Sequence, residues 1–163
     1  MKQEWQTHPF KPVWNQHSEI LILGSFPSVR SREIGFYYGH PQNRFWPLLA
    51  ALHGTAVPLS TKERKTFVLD HHIALWDAVS ACDITGSSDS SIRNAIPNDI
   101  ASLVMNSRIQ RIYCNGQTAG RIFQQYCQAD CPLQAVTLPS TSAANAAWNM
   151  ERLAQHWKVL IEG

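Results

Sequence analysis

A chain of 163 residues with 44% hydrophobic and 16% charged residues suits one domain with its own core and excludes a disordered tail. Its longest aliphatic run, Ile20 to Leu23, falls far short of the roughly 20 apolar residues a bilayer span requires, and Met1-Lys2-Gln3-Glu4 opens no signal-peptide core, so a soluble cytoplasmic protein is expected. A formal net charge of +2 announces no polyanion partner, although Arg30, Arg32 and Arg44 lie close together against one acid, Glu33.

Residues 1 to 18 carry Trp5, Phe10 and Trp14 without helical or strand period, together with Pro9 and Pro12, and predict an extended arm packed on a single domain spanning 1–163. Glu19 to Gly24 reads as a short buried strand of a central parallel sheet. A loop over 25–42 follows. Asn43 is placed to cap a helix whose apolar positions Phe45, Trp46, Leu48, Leu49 and Leu52 recur up to Gly54. Ser60-Thr-Lys-Glu63 is a capping box that starts a helix to about His71, and Ile73 to Val79 reads as the second strand. Residues 80 to 97 read as loop. Asn98 or Asp99 caps a short helix to Asn106, Arg111 to Asn115 is a strand, and Gly116 to Cys127 is a helix with Ala119, Ile122, Phe123 and Tyr126 inward. Gln134 to Leu138 is a further strand, and the loop Pro139 to Asn145 leads into a last helix from about Ala146 to Leu160.

Strands alternating with helices predict an α/β fold, a three-layer α/β/α domain around a mostly parallel central sheet of about four strands. In such sheets ligands bind beyond the carboxyl ends of the strands. That rule selects Gly24 to Ser28, Asp77 to Asp83, Asn115 to Gln117 and Pro139 to Asn145. Gly24-Ser-Phe-Pro-Ser28 is a tight polar loop open to a ligand, without the glycine spacing of dinucleotide or phosphate-binding loops. Gly35-Phe-Tyr-Tyr-Gly-His-Pro-Gln-Asn-Arg-Phe-Trp46 offers flat aromatic faces, with Tyr37 and Tyr38 the stacking candidates beside a glycine–proline turn. The four cysteines make no C-x-x-C pair; no metal and no cofactor are expected.

Gly24-Ser-Phe-Pro-Ser28, Tyr38-Gly-His-Pro-Gln-Asn-Arg-Phe-Trp46 and Leu138-Pro-Ser-Thr-Ser142-Ala-Ala-Asn145 together resemble the uracil-DNA glycosylase superfamily and, more narrowly, its hypoxanthine-DNA (deoxyinosine) branch, over about residues 19 to 148. Mismatch-specific glycosylases share the His-Pro-x-Asn-Arg-Phe-Trp element at the same distance from the first loop. The resemblance implies a base pocket from Gly24, Ser25, Phe26, Pro27 and Ser28, an aromatic at Tyr38 stacking on the extruded base, and a last loop that probes the DNA. Mismatch enzymes carry Asn, and uracil-specific ones Asp, where this chain has Phe26, which can neither orient nor deprotonate water; Leu138 stands where uracil enzymes carry His.

In the deoxyinosine branch the asparagine of the aromatic segment takes the catalytic part, which maps onto Asn43. An amide holding a water near the anomeric carbon by two hydrogen bonds can serve, because glycosidic cleavage passes through an oxocarbenium-like state that a weak nucleophile captures. Asn43 also reads as a helix cap or loop staple. Asp77, Asp83, Asp89 and Asp99 rank below it as water-activating groups, and His40 reads as a packed loop residue, a support for the leaving purine or a phosphate contact. Asn115 is placed to read a base edge or to make a turn. Arg30, Arg44, Ser140, Thr141, Ser142 and Asn145 are the candidate DNA contacts, the hydroxyls lying just before the final helix.

The function implied is a monofunctional glycosylase of base excision repair that flips out a deaminated base, hypoxanthine first, from double-stranded DNA and acts as a monomer. The alternatives are a uracil or G:T/G:U mismatch glycosylase, a lesion-binding module without catalysis, and a hydrolase of small nucleosides.

Overall fold

The chain, described over residues 2–162 by a computed structural model, begins with strands β1 (Gln3–Thr7) and β2 (Ile20–Gly24). Helices α1 (Val29–Ile34), α2 (Phe45–His53) and α3 (Thr61–Asp70) follow, then strands β3 (Ile73–Asp77), β4 (Val79–Thr85) and β5 (Arg93–Pro97). Helix α4 (Ile100–Met105), strand β6 (Arg111–Asn115), helix α5 (Gln117–Ile122), strand β7 (Ala135–Leu138) and helices α6 (Met150–Trp157) and α7 (Val159–Glu162) complete the order.

The central sheet runs β3-β2-β6-β7, all parallel. All five residues of β2 are buried, and alternate side chains of a strand face opposite sides, so this strand feeds two cores. Ile20 and Ile22 meet Phe45, Trp46, Leu49, Leu153 and Trp157 on one side, while Leu21 and Leu23 meet Ile100, Leu103, Val104, Ala119 and Phe123 on the other. Burying each such aliphatic chain stabilises by about 1.5–3 kcal/mol, which fixes the register of β2 between its layers. The three-layer α/β/α architecture is the one expected.

Local signals set the helix ends. Ser60 Oγ accepts from the Glu63 N–H at 3.0 Å and Glu63 reaches back to the Ser60 N–H, the predicted capping box. Asp99 caps α4 by accepting from Ser102 N–H, and Gly54 ends α2 at φ 65°, a conformation that favours glycine.

Four expectations change. Residues 80–97 are no loop: β4 and β5 pair antiparallel, and β1 joins them from the arm in a second sheet, β1-β4-β5. Polar exposed positions along β1 and β5 hid the strand period. The loop after β2 contains α1, capped by Ser28, whose Oγ accepts from Ser31 N–H. The fifth helix passes into a π turn over Phe123–Cys127; the wider turn shifts the phase, so Cys127 is buried and Tyr126 stands out. The last helix starts at Met150, because Asn149 takes the cap by accepting from Arg152 N–H at 2.8 Å. Among the described residues no helix is long and apolar enough to cross a membrane.

Candidate active site

From β2 the chain passes to β3 on one side and to β6 on the other, which opens a crevice beyond the carboxyl ends of these strands. Gly24, Asp77, Asn115 and Leu138 end the four strands, so the segments selected by the strand-end rule do converge. Gly116 adopts φ 99° and its space is limited by Ser140, which brings the last loop against the end of β6.

Asn43 precedes α2 and its side chain is held by two donors. Phe45 N–H reaches its Oδ1 at 2.9 Å and Thr141 Oγ1 donates to the same oxygen at 2.8 Å. The backbone donor fixes the amide orientation, since an NH2 group turned toward Phe45 N–H would set donor against donor. Both lone pairs of Oδ1 are thereby used, and Nδ2 is the end left without a hydrogen bond among the described residues. The expected grip on a water through both ends of the amide is reduced here to donation from Nδ2. The capping position itself falls on Arg44, without a side-chain cap.

Thr141, expected at the DNA surface, is fully buried. Its N–H donates to Asn115 Oδ1 and its Oγ1 accepts from Asn115 Nδ2, both at 3.0 Å. Asn115, expected to read a base edge or make a turn, is thus held by Thr141 at both ends of its amide. Arg44 is likewise withdrawn from DNA: Nε reaches Thr141 O at 3.3 Å, Nη2 reaches Ser142 O at 2.8 Å and Asn145 O at 3.2 Å, and Nη1 bonds Trp148 O. Its fork satisfies the carbonyls of the last loop and ties that loop to α2. Ser140 and Ser142 accept from N–H groups two residues on, and Asn145 Nδ2 donates to Ser140 O; all three shape the loop, and the delayed start of α6 removes the helix terminus expected behind them. Arg30 is exposed, with only a 3.5 Å contact to Glu33.

In the first loop, Phe26 is packed inward with Ala78, Val79, Cys82, Ile84 and Ile122 and has the Arg32 guanidinium over its ring. It is a core side chain rather than a pocket wall. Pro27 is buried beside it and Ser28 is committed to its cap. Buried Ser25 donates from Oγ to Asp89 Oδ1 at 2.7 Å. Asp89 is exposed as a residue while the protein around its carboxyl raises its pKa by desolvation, against the lowering effect of the Ser25 hydrogen bond. His40 stays exposed and accepts from Gln42 N–H in its turn.

Tyr38 sits at φ 53°, an unfavourable backbone region for its type, with its ring stacked on Phe45 at 3.9 Å. One face is therefore taken. Its hydroxyl is buried beside the Asn115 amide, and burial, then the Asp77 charge, push its pKa well above the ordinary value against the lowering effect of hydrogen bonding from Asn115. A Cβ on Gly24 would collide with Asp77 Oδ1 and come within 3.2 Å of that hydroxyl, so glycine is required by the crowding at this strand end.

One arrangement escaped sequence reasoning. His8, from the arm, places Nε2 at 2.8 Å from Asp77 Oδ2 and Nδ1 at 2.6 Å from Phe10 O, with both side chains almost wholly buried. Only the antiparallel pairing of β1 with β4, which carries the arm back over the strand ends, brings His8 there.

A sequence model of the uracil DNA glycosylase superfamily matches residues 12–162. A hypoxanthine DNA glycosylase of Methanosarcina acetivorans is 34% identical over 154 residues, 93% of this chain and 96% of that one. A hypoxanthine DNA glycosylase of Methanosarcina barkeri is 34% identical over 113 residues, 68% of this chain and 72% of that one. The solution NMR structure of a provisionally named uracil DNA glycosylase from Methanosarcina acetivorans aligns with a TM-score of 0.77 and 29% identity, covering 94% of this chain and 97% of that one.

Proposed function

Because the chain belongs to the uracil DNA glycosylase superfamily, we propose that it is a monofunctional DNA glycosylase that hydrolyses the bond between hypoxanthine and deoxyribose in double-stranded DNA. Flipping costs a few kcal/mol and is easiest at mispairs, which favours deaminated bases. The protein works as a monomer in the cytoplasm, and it leaves free base and an abasic site.

The observation that carries the reading is the pairing of an inward-packed Phe26 with a firmly oriented Asn43. With no water-holding side chain at the third position of the first loop, the water is held by the Asn43 Nδ2 donor. One lone pair of the water accepts from the amide and the other meets the anomeric carbon as the glycosidic bond opens. Asn115 and Thr141 keep that amide in place. Gly24 and Ser25 form the wall of the base pocket, and Tyr38 lies beside the base. Arg30 and the tip of the last loop meet the phosphates.

The deciding experiment incubates the protein with duplexes bearing inosine, uracil, thymine opposite guanine, or xanthine, and measures released base and alkali-labile sites. Release of hypoxanthine above the other bases is expected, and Asn43→Ala is expected to lower single-turnover excision by about 100-fold or more, the range of a lost positioning group. Excision limited to uracil or thymine duplexes, or retarded bands on inosine DNA without release, overturns the assignment.

A further inference from the structure

Asp77 ends β3 beside Gly24, its register partner at the end of β2. The two oxygens of its carboxyl group have different surroundings. Oδ2 faces His8 Nε2 at 2.8 Å, and the proton of that contact lies between the two atoms, which leaves Oδ1 as an acceptor. Among the described residues the side chain makes its hydrogen bond through Oδ2 alone. Oδ1 lies on the Gly24 side, 2.4 Å from the point that a Cβ at position 24 would take, at the strand ends where a sheet of this kind takes its ligand. Only 5% of the Asp77 side chain is exposed, so an acceptor held there costs stability until a donor reaches it.

The Tyr38 hydroxyl stands 3.2 Å from the same point. Its oxygen lies beside the Asn115 amide, and no acceptor for its proton is present among the described residues. Burial first and the Asp77 charge next hold it neutral, so it is a donor. A donor and an acceptor thus meet across a residue with no side chain to fill the gap. Together they complement a lactam edge, on which a ring carbonyl accepts from the hydroxyl and the adjoining ring N–H donates to the carboxyl oxygen. Deamination creates that edge. Adenine carries an amino donor beside a bare ring nitrogen and would set donor against donor and acceptor against acceptor, whereas hypoxanthine offers O6 and N1–H in the order this pair takes. Both groups are fixed beforehand, Tyr38 by its stack on Phe45 at 3.9 Å and Asp77 by His8.

We propose that Asp77 and Tyr38 determine the specificity of this site by reading the lactam edge of the flipped base, the Tyr38 hydroxyl donating to the ring carbonyl and Asp77 Oδ1 accepting from the adjoining N–H. This rests on the hypoxanthine reading above and adds how hypoxanthine is told from the adenine it came from. Xanthine and uracil carry the same edge, so the pair selects deaminated bases as a class. No bond is made or broken at either residue, and the chemistry stays with the water at Asn43. His8 is a positioning residue that ties down Oδ2 and leaves Oδ1 to the base, so the N-terminal arm takes part in base choice.

The test measures single-turnover excision from duplexes carrying inosine or nebularine, the purine nucleoside that lacks O6 and has a bare N1, for the wild type, Asp77→Asn and Tyr38→Phe, with thermal melting of each protein. Band shifts of the two duplexes read the same preference in binding. Asp77→Asn keeps an acceptor for His8 and turns an amide N–H2 toward the N1–H of hypoxanthine. The expected result is an inosine-to-nebularine rate ratio that falls at least about tenfold in Asp77→Asn and about threefold or more in Tyr38→Phe, the range of a lost hydrogen bond to a carboxyl and to a hydroxyl. A loss of packing alone slows both substrates and leaves the ratio as it was. Folded variants that keep the wild-type ratio overturn the inference, although the glycosylase reading stands. A wild type that releases no hypoxanthine overturns that reading and this inference with it. Should Asp77→Asn fail to fold, Tyr38→Phe, which removes one hydroxyl, decides by the same ratio.

Discussion

The Thr141 hydroxyl donates to Asn43 Oδ1 at 2.8 Å across a sequence separation of 98 residues, and it does so while accepting from Asn115. The last loop therefore braces the Asn43 amide in the orientation that Phe45 N–H selects. Replacing Thr141 by Val removes the hydroxyl at nearly constant volume and leaves buried polar atoms unpaired, which costs about 1–3 kcal/mol of stability. Thr141→Val is expected to slow single-turnover excision at least about tenfold with little change in the half-saturating DNA concentration, as for a group acting in the transition state. Thr141→Ser, which keeps the hydroxyl, is expected to restore the rate.

Gly24 tests the crowding at the end of β2. In Gly24→Ala the new methyl collides with Asp77 Oδ1 and presses on the Tyr38 hydroxyl. Overpacking of this kind costs about 1–3 kcal/mol, and excision is expected to drop more than folding does. Melting temperature and single-turnover rate, read on the same preparation, separate the two effects.

Arg44→Lys keeps the charge but loses the fork that meets four backbone carbonyls of the last loop. A single ammonium cannot satisfy these dispersed acceptors, so the exchange is not conservative. A loss of about 2–4 kcal/mol in denaturant unfolding is expected from stranding several part-buried acceptors. Proteolysis is expected to cut first near Ala143 and Ala144, which are exposed. Unchanged stability would show that the loop holds itself.

The buried thiols give a pH prediction. Burial pushes Cys82 and Cys127 up to about 11 and Cys114 up to about 12, from an ordinary value of 9.0. Their folded values lie above the unfolded ones, so their contribution to stability is whole below pH 9 and is lost as pH rises through 11 to 12. Iodoacetamide at pH 8 is expected to leave these three unmodified in the native protein and to label them after denaturation.

Much of the scaffold was legible because it obeys local rules. The run Ile20 to Leu23, the Ser60 box and the strand Arg111 to Asn115 carry their signals within a few residues. The second sheet did not: β1 meets β4 through pairs such as Trp5 with Asp83, and neither strand shows a strict alternation that reveals such a distant partner. At the site, Gly24, Asn43 and Asn115 stood out because they lie in motifs at strand ends. The work of Thr141 and Arg44 was hidden, since hydroxyl and guanidinium groups in a loop look alike whether they face phosphate or fold back onto carbonyls. His8 was invisible for the same reason, as its partner is 69 residues away.

The side chains gathered at the crevice come from positions 8, 24, 43, 77, 115 and 141, so they are strung along nearly the whole chain. No fragment contains them together. Base release is consequently a readout of completed assembly: a polypeptide divided between Gly86 and Ile92, for instance, would be silent as halves and regain turnover only on reassociation, making this scaffold a candidate split reporter.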